Sequence, residues 1–295
     1  MPPKLKDAIG WMFDYIEPGK TLLDFGCSTG YFGQYIRKSK QCKVYGVEIS
    51  DDRFEAEKVL NGVYSFDLDV DWPDTVYERK YDYLFFGDVI EHLKDPQKVL
   101  EKCKKLLKPG GLIFISTPNI AHISIRLELM CGNFDYEPMG ILDNTHLKYF
   151  TKKSLSGLVK SAGYTIELAT FSANDYPDAA IKKLLNKAGL TPTAAFWNMV
   201  NQPEARAFQH KFIISPGKHT PLKQTVEPES QKPEFLRNAE YNDLRNKVKN
   251  LENHAKKQAE IIEHYAAENE KLRKGSLQRA KRVLRTTLNH ATKRK

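Results

Sequence analysis

Apolar and polar positions follow two rhythms along the first two hundred residues. TLLDF (21–25), CKVYGVEI (42–49), YDYLFF (81–86) and GLIFIST (111–117) are short, nearly uninterrupted apolar runs. Such runs suit strands buried on both faces. Between them lie amphipathic segments with helix signals. SDDRFEAEKVL (50–60) opens on a Ser cap and an acidic first turn, and PQKVLEKCKKLL (96–107) has Pro at its start and Pro-Gly-Gly after it. TKKSLSGLVKSAG (151–163) starts at a Thr cap and ends at Gly163; strand-like YTIELATF follows it and, much later, so does AFQHKFIIS (207–215). This alternation predicts an α/β domain whose parallel sheet carries helices on both faces. The stretch between Thr117 and Thr151 fits neither rhythm. An insertion that long in a compact domain usually serves function, as a lid or substrate loop.

After Ser215 the pattern changes. Residues 216–235 form a polar, proline-bearing linker. From 236 to 273 a heptad seam runs through Tyr241, Leu244, Val248, Leu251, Ala255, Gln258, Ile262, Tyr265, Asn269 and Leu272. Val and Ile at a with Leu at d favour a parallel two-stranded coiled coil, and one Asn at a fixes its register; a homodimer is the expected partner arrangement. A lone amphipathic helix folded back on the domain is the alternative. In 274–295, Leu277, Ala280, Leu284, Leu288 and Ala291 recur at helical spacing among Lys and Arg. A basic amphipathic tail of this kind can lie on an anionic membrane or dock on an acidic protein of a glycan assembly; a solvated tail, or one whose charges meet nucleic acid, is the alternative.

Charge locates the basic character. The formal net charge is +9, yet residues 271–295 hold ten Lys or Arg and no acid, so the rest of the chain is close to neutral. Nucleic acid, which calls for a basic, aromatic-rich groove, is therefore not the expected substrate of residues 1–215. The four cysteines (Cys27, Cys42, Cys103, Cys131) form no C-x-x-C pair and share no metal-ligand spacing. No metal site, disulfide framework, signal peptide or membrane span is expected. The expected location is cytoplasmic, peripheral on the inner face of a membrane.

The chemistry begins at LLDFGCSTGYFG (22–33), an apolar run that meets an acid and breaks into three spaced glycines. Glycine permits a sharp turn and close backbone approach to a ligand, and the helix start beyond offers unpaired N–H groups. Both dinucleotide-binding and methyl-donor-binding domains use such a turn. Here Ser28 stands where the dinucleotide fingerprint needs its second glycine, which disfavours a nicotinamide-dependent oxidoreductase. Glu48 ends the second strand, where a carboxylate can accept from ribose hydroxyls or simply start a helix. Asp67, in FDLDV (66–70), could meet an adenine amino group or be a solvated turn acid.

With LLDFGCSTGYFG, the segment YDYLFFGDVIEHLKDP (81–96) closely resembles class I S-adenosylmethionine-dependent methyltransferases, in the branch of small-molecule and polysaccharide-locus enzymes. PGGLIFISTPN (109–119) matches the family's fifth-strand signature. The resemblance covers roughly residues 8–215 and implies a Rossmann-like seven-stranded sheet with helices on both faces, followed here by the coiled-coil helix. It implies that Asp24, Gly26 and Gly30 contact the methionine part of the donor and Glu48 the ribose. Asp67 and Leu68 would flank adenine, and Asp88 would border the sulfonium end. Glu91 and His92 would sit beside the methyl-transfer face, His92 either acting there or capping the turn.

DNTHLKYFT (143–151) is similar to a second family segment, T-H-x-[RK]-[FY]-F-T. His146 is then a candidate general base for an acceptor hydroxyl, since an imidazole titrates near neutrality; holding the insertion closed is its other reading. The expected activity is O-methylation of a sugar, glycan or related small molecule. A non-catalytic scaffold with a vestigial donor site is the alternative from another class.

Overall fold

In the computed structural model, residues 10–173 and 176–217 are described. The chain divides into units Met1–Ser230 and Gln231–Lys295, and all described residues belong to the first. The linker from 218 on, the coiled coil 236–273 and the basic tail 274–295 lie outside the described residues.

The apolar runs form the sheet. Strands β1 (Thr21–Phe25), β2 (Lys43–Val47), β3 (Val63–Tyr64), β4 (Tyr81–Gly87) and β5 (Leu107–Pro118) are mutually parallel where they pair. β6 (Thr165–Ala173) and β7 (Ala207–Ser215) complete it in the order β3-β2-β1-β4-β5-β7-β6, with β7 antiparallel to both neighbours. Strand order reverses between β1 and β4, which places a ligand crevice at their carboxyl ends.

Alternation along each strand feeds two cores. Leu23, Phe25, Leu84, Phe86, Ile113 and Ile115 face one side, and Leu22, Tyr83, Phe85, Leu112 and Phe114 face the other. On the first side Phe25 and Phe86 stack at 4.4 Å between centroids, a pairing that adds about 1 kcal/mol beyond burial. Helices α1 (Tyr31–Lys40) and α2 (Arg53–Val59) cover the second core with Phe32, Ile36 and Ala56. Helices α3 (Pro96–Cys103) and α4 (Lys152–Ser161) cover the first with Val99, Leu100, Leu155 and Val159. Their starts follow the sequence signals: the Asp95 side chain accepts from the Lys98 N–H with Pro96 beside it, and Thr151 and Ser154 form a reciprocal capping box.

Three elements depart from the sequence reading. The helix expected from Ser50 starts at Arg53, because Glu48 takes the Ser50 N–H and Ser28 Oγ donates to Asp52, the residue at the helix start. Part of the 117–151 insertion is helical: α5 (Ile123–Met130) packs Ile123 and Leu127 against Ile181 and Leu185 of α6 (Asp178–Lys187) and Val200 of α7 (Ala194–Val200). Strand β3 is only Val63–Tyr64, and FDLDV, one residue beyond it, runs into a turn at Leu68–Asp69. The buried Asn119 ties the insertion to the last strand, its amide donating to the carbonyls of Glu204 (2.9 Å) and Ala207 (2.7 Å). Among the described residues no helix is long and apolar enough to cross a membrane, and all four cysteines are free thiols.

Candidate active site

The turn after β1 is held from two sides. Gly26 (φ +66°) and Gly30 (φ +75°) occupy the left-handed region, and Ser28 joins them at φ +46° although it has a side chain. A Cβ at Gly26 would stand 2.7 Å from Val89 Cγ2, so this glycine is required by space as well as by conformation. Glu48 Oε2 accepts from the Ser28 N–H (2.9 Å) and Oε1 from the Ser50 N–H (2.8 Å). The same carboxylate thus organises the glycine turn and the start of the next loop. It retains lone pairs for a further donor such as a hydroxyl. Asp24 is buried at 3 % exposure beside this turn. Burial, and then the Glu48 charge, hold its carboxyl well above the usual carboxylate range.

Asp88, beyond β4, is a second non-glycine residue at positive φ (+54°). Its N–H bonds the Ser116 carbonyl (3.1 Å) and its Oδ1 accepts from Gln209 Nε2 (2.6 Å). The residue is exposed by surface area yet closely surrounded by protein, and that desolvation raises its pKa against the opposing Gln209 bond. Strain of this kind persists where neighbouring structure fixes it, commonly at ligand sites.

Asp67 stands apart from this cluster in character. It is exposed and its Oδ1 accepts from the Asp69 N–H (2.9 Å), the geometry of a solvated turn acid. Leu68 is half-buried on the first core and its carbonyl accepts from Trp72 Nε1. The acid that fastens this loop is Asp69, whose carboxylate accepts from the Lys94 N–H at 3.0 Å to each oxygen. Its role was hidden in the sequence by the two neighbouring acids, Asp67 and Asp71.

Glu91, His92 and His146, from two separate motifs, come together. The Glu91 carbonyl accepts from both the Leu147 and Lys148 N–H groups at 2.9 Å, pinning the insertion to the loop after β4. One potential ligand atom from each of Glu91, His92 and His146 lies within 4.8 Å of the others. The two rings meet edge to face, with centroids 4.8 Å apart. His146 Nδ1 lies 3.1 Å from the Ile141 carbonyl and His92 Nδ1 3.2 Å from the Thr145 carbonyl. A carbonyl only accepts, so each Nδ1 carries a proton, and a lone pair on either ring can sit only on Nε2. Thr145 is itself fixed by Asp143, which accepts from its hydroxyl (2.6 Å) and its N–H (2.8 Å). Glu91 is 1 % exposed, and its carboxylate makes no well-formed hydrogen bond among the described residues, although the Thr117 hydroxyl and its own backbone N–H lie near enough to oppose the rise in its pKa. Burial, and then the nearby Asp88 charge, push its pKa up to about 8.

Sequence reasoning missed Gln209, Asp143 and Thr145, which orient Asp88 and His92. Asp143 and Thr145 were legible as part of the DNTH segment; Gln209 was not, since a strand glutamine carries no motif.

Residues 1–169, more than half of the chain, match the family model described as a methyltransferase domain. Curated relatives named ubiquinone biosynthesis O-methyltransferase include those of Hydrogenovibrio crunogenus and Neisseria meningitidis serogroup A. The first is 28 % identical over 161 residues, covering 51 % of this chain and 64 % of that protein. The second is 24 % identical over 178 residues, covering 55 % and 73 %. The chain therefore spans less than two thirds of the length of the first of these relatives. Among solved structures, a SAM dependent methyltransferase from Archaeoglobus fulgidus is 18 % identical with a TM-score of 0.47, covering 72 % of this chain and 93 % of that one. One from Clostridium acetobutylicum is 14 % identical with a TM-score of 0.46, covering 72 % and 91 %. The glycine turn, the acids that organise it and the match across 1–169 agree: this chain belongs to the methyltransferase-domain family.

Proposed function

We propose that this methyltransferase O-methylates a hydroxyl of a small acceptor, a sugar, glycan unit or related ring compound. The carrying observation is the convergence of two imidazoles and the buried Glu91 carboxyl within 4.8 Å, beyond Asp88 at the end of β4. A phosphate oxygen needs no base, whereas a hydroxyl must lose a proton on becoming an ether. A cluster of proton acceptors therefore favours the hydroxyl.

The residues present suit the donor. Gly26 leaves no room for a Cβ, Asp24 and Glu48 supply carboxylates for an ammonium and for hydroxyls, and Asp88 borders the opposite end. When bound, S-adenosylmethionine supplies a methyl group already made electrophilic by the sulfonium. What remains for this chain is to align an acceptor, exclude water and take a proton. His146 Nε2 receives that proton, with Nδ1 held by the Ile141 carbonyl so that the ring faces one way. The insertion bounds the site with an aromatic series in which His146 touches Tyr149 and Tyr149 touches Phe134, each at 6.1 Å. Phe134, Tyr136, Met139 and Leu147 are exposed on this segment, a surface on which the apolar face of a sugar or aromatic ring can stack. The names of the curated relatives support O-methylation of a small molecule.

The test is methyl transfer from isotopically labelled donor by the full chain to panels of sugars, glycans and phenols. Label retained in a neutral ether product is expected. Label only on phosphate or amine acceptors overturns the reading.

A further inference from the structure

We propose that Glu91, His92 and His146 hold a divalent cation, and that the acceptor hydroxyl binds on the positions this ion leaves open. This rests on the hydroxyl-methylation reading above and adds the agent that acidifies the hydroxyl.

Three independent features point to an ion. The first is the donor set: two imidazoles and one carboxylate converge within 4.8 Å. Donors around one shared ion at about 2.0–2.2 Å sit roughly 3–3.5 Å apart, so side-chain rotations of about 1 Å complete the site. The second is orientation. Each ring has its Nδ1 at hydrogen-bond distance from a backbone carbonyl, Ile141 for His146 and Thr145 for His92, which leaves Nε2 as the nitrogen free to ligate. That outer hydrogen bond is how proteins fix a metal-ligating histidine in one tautomer. The third is the Glu91 carboxyl, 1 % exposed, which contributes an oxygen to the cluster and makes no well-formed hydrogen bond among the described residues, with only the Thr117 hydroxyl and its own backbone N–H nearby. A buried carboxylate without partners is costly, and a cation satisfies both oxygens.

Charge around the cluster agrees. Asp88 and Asp143 both act on Glu91 as like charges, so the site gathers negative potential that an ion would neutralise. Two imidazoles with one carboxylate suit Zn²⁺, Mn²⁺ or Fe²⁺ better than Ca²⁺, which prefers an all-oxygen shell. Three protein donors leave at least one position open, the arrangement of catalytic rather than structural sites. On such an ion the acceptor O–H bond breaks with the proton passing to solvent water. The oxygen lone pair then forms the O–CH₃ bond while the S–CH₃ pair returns to sulfur, so charge and atoms balance. In this scheme His146 serves as a ligand that lowers the hydroxyl's proton affinity through the cation, in place of the direct base role given above.

The full chain, stripped with a chelator and dialysed, should bind Mn²⁺ one to one, read by electron paramagnetic resonance and by metal analysis after Zn²⁺ reloading. Glu91→Gln and His146→Ala should each weaken binding about 10-fold or more, while calorimetric binding of S-adenosylhomocysteine persists. His146→Ala guards against a folding failure of the buried Glu91 variant. Absence of stoichiometric binding, or binding unchanged in both variants, overturns the cation site. So does full methyl transfer by the stripped enzyme, an outcome that would leave the methyltransferase reading standing. Loss of S-adenosylhomocysteine binding in the unsubstituted chain would instead strike the donor assignment.

Discussion

His92 and His146 meet edge to face at 4.8 Å between ring centroids, although one follows β4 and the other lies in the insertion after β5. The contact exists because the Glu91 carbonyl holds the Leu147 and Lys148 amides. Removing one ring should therefore impair turnover without disturbing the glycine turn. His146→Ala is expected to lower the rate about 10²-fold or more for a hydroxyl acceptor, with S-adenosylhomocysteine affinity within a few-fold of the parent by calorimetry. An unchanged rate would remove His146 from the chemistry.

Glu48 joins the donor turn to the loop after β2 through the Ser28 and Ser50 N–H groups. Glu48→Ala leaves both donors without that acceptor, at a cost of about 1–3 kcal/mol, and takes away a carboxylate for the donor. Thermal melting should shift down and donor affinity should fall together. A drop in affinity with no change in melting would mean the turn does not depend on this carboxylate.

Glycines at positive φ are not equivalent here. At Gly26 a Cβ would meet Val89 Cγ2 at 2.7 Å, whereas at Gly132 (φ +80°) nothing lies within 4 Å. Gly132→Ala should cost only the conformational penalty, about 1–2 kcal/mol. Gly26→Ala should cost more and also weaken donor binding. Equal losses in chemical denaturation would show that the Val89 contact is relieved cheaply.

Asp82 carries a pH dependence away from the site. Burial raises its pKa, but the Lys108 ammonium at 2.7 Å and the Thr21 N–H at 2.8 Å outweigh this and lower it overall. A carboxylate with a lowered folded pKa stabilises fully above its unfolded value, near 3.9, and that contribution is lost as pH falls through the lowered value. Asp82→Asn should thus lose about 1 kcal/mol at neutral pH and approach the parent's stability below about pH 3. A gap that persists in acid would assign the loss to something other than ionisation.

The sequence of 274–295 predicts binding to anionic vesicles at low salt, with about 1 kcal/mol per basic residue near the surface. Co-sedimentation of the full chain, compared with a chain ending at residue 273, reads this directly. Equal partitioning of the two would exclude the tail as the attachment.

Much of the glycine turn was legible because it depends on local chemistry. The LLDFG run, the Gly26 and Gly30 turn and the Glu48 strand end are set by neighbours in sequence, and the structure brings them together at the carboxyl ends of β1 and β2. The helix α5 was not legible. ISIRLELM mixes β-branched and apolar residues over only eight positions, and a helix that short forms by packing, here against Ile181 and Leu185. The gathering of Glu91 with both histidines was hidden for a related reason. It depends on one backbone carbonyl far from His146 in sequence, which no periodicity encodes. Reading metal chemistry from cysteine spacing alone also passed over a cluster built from histidine and glutamate.

The position of β7 has a consequence for how the enzyme is made. This strand, last among those described, inserts between β5 and β6 and is the sheet partner of β6. It also carries Gln209, which holds the strained Asp88. During synthesis, at about 5–20 residues per second, β5 presents a bare hydrogen-bonding edge until residue 215 has left the ribosome. Such an edge is a template for wrong pairing. A ribosome that stalls between β6 and β7 therefore releases a chain with a glycine turn but an unbraced Asp88 and two unpaired strand edges, a form more prone to aggregate than to bind its donor.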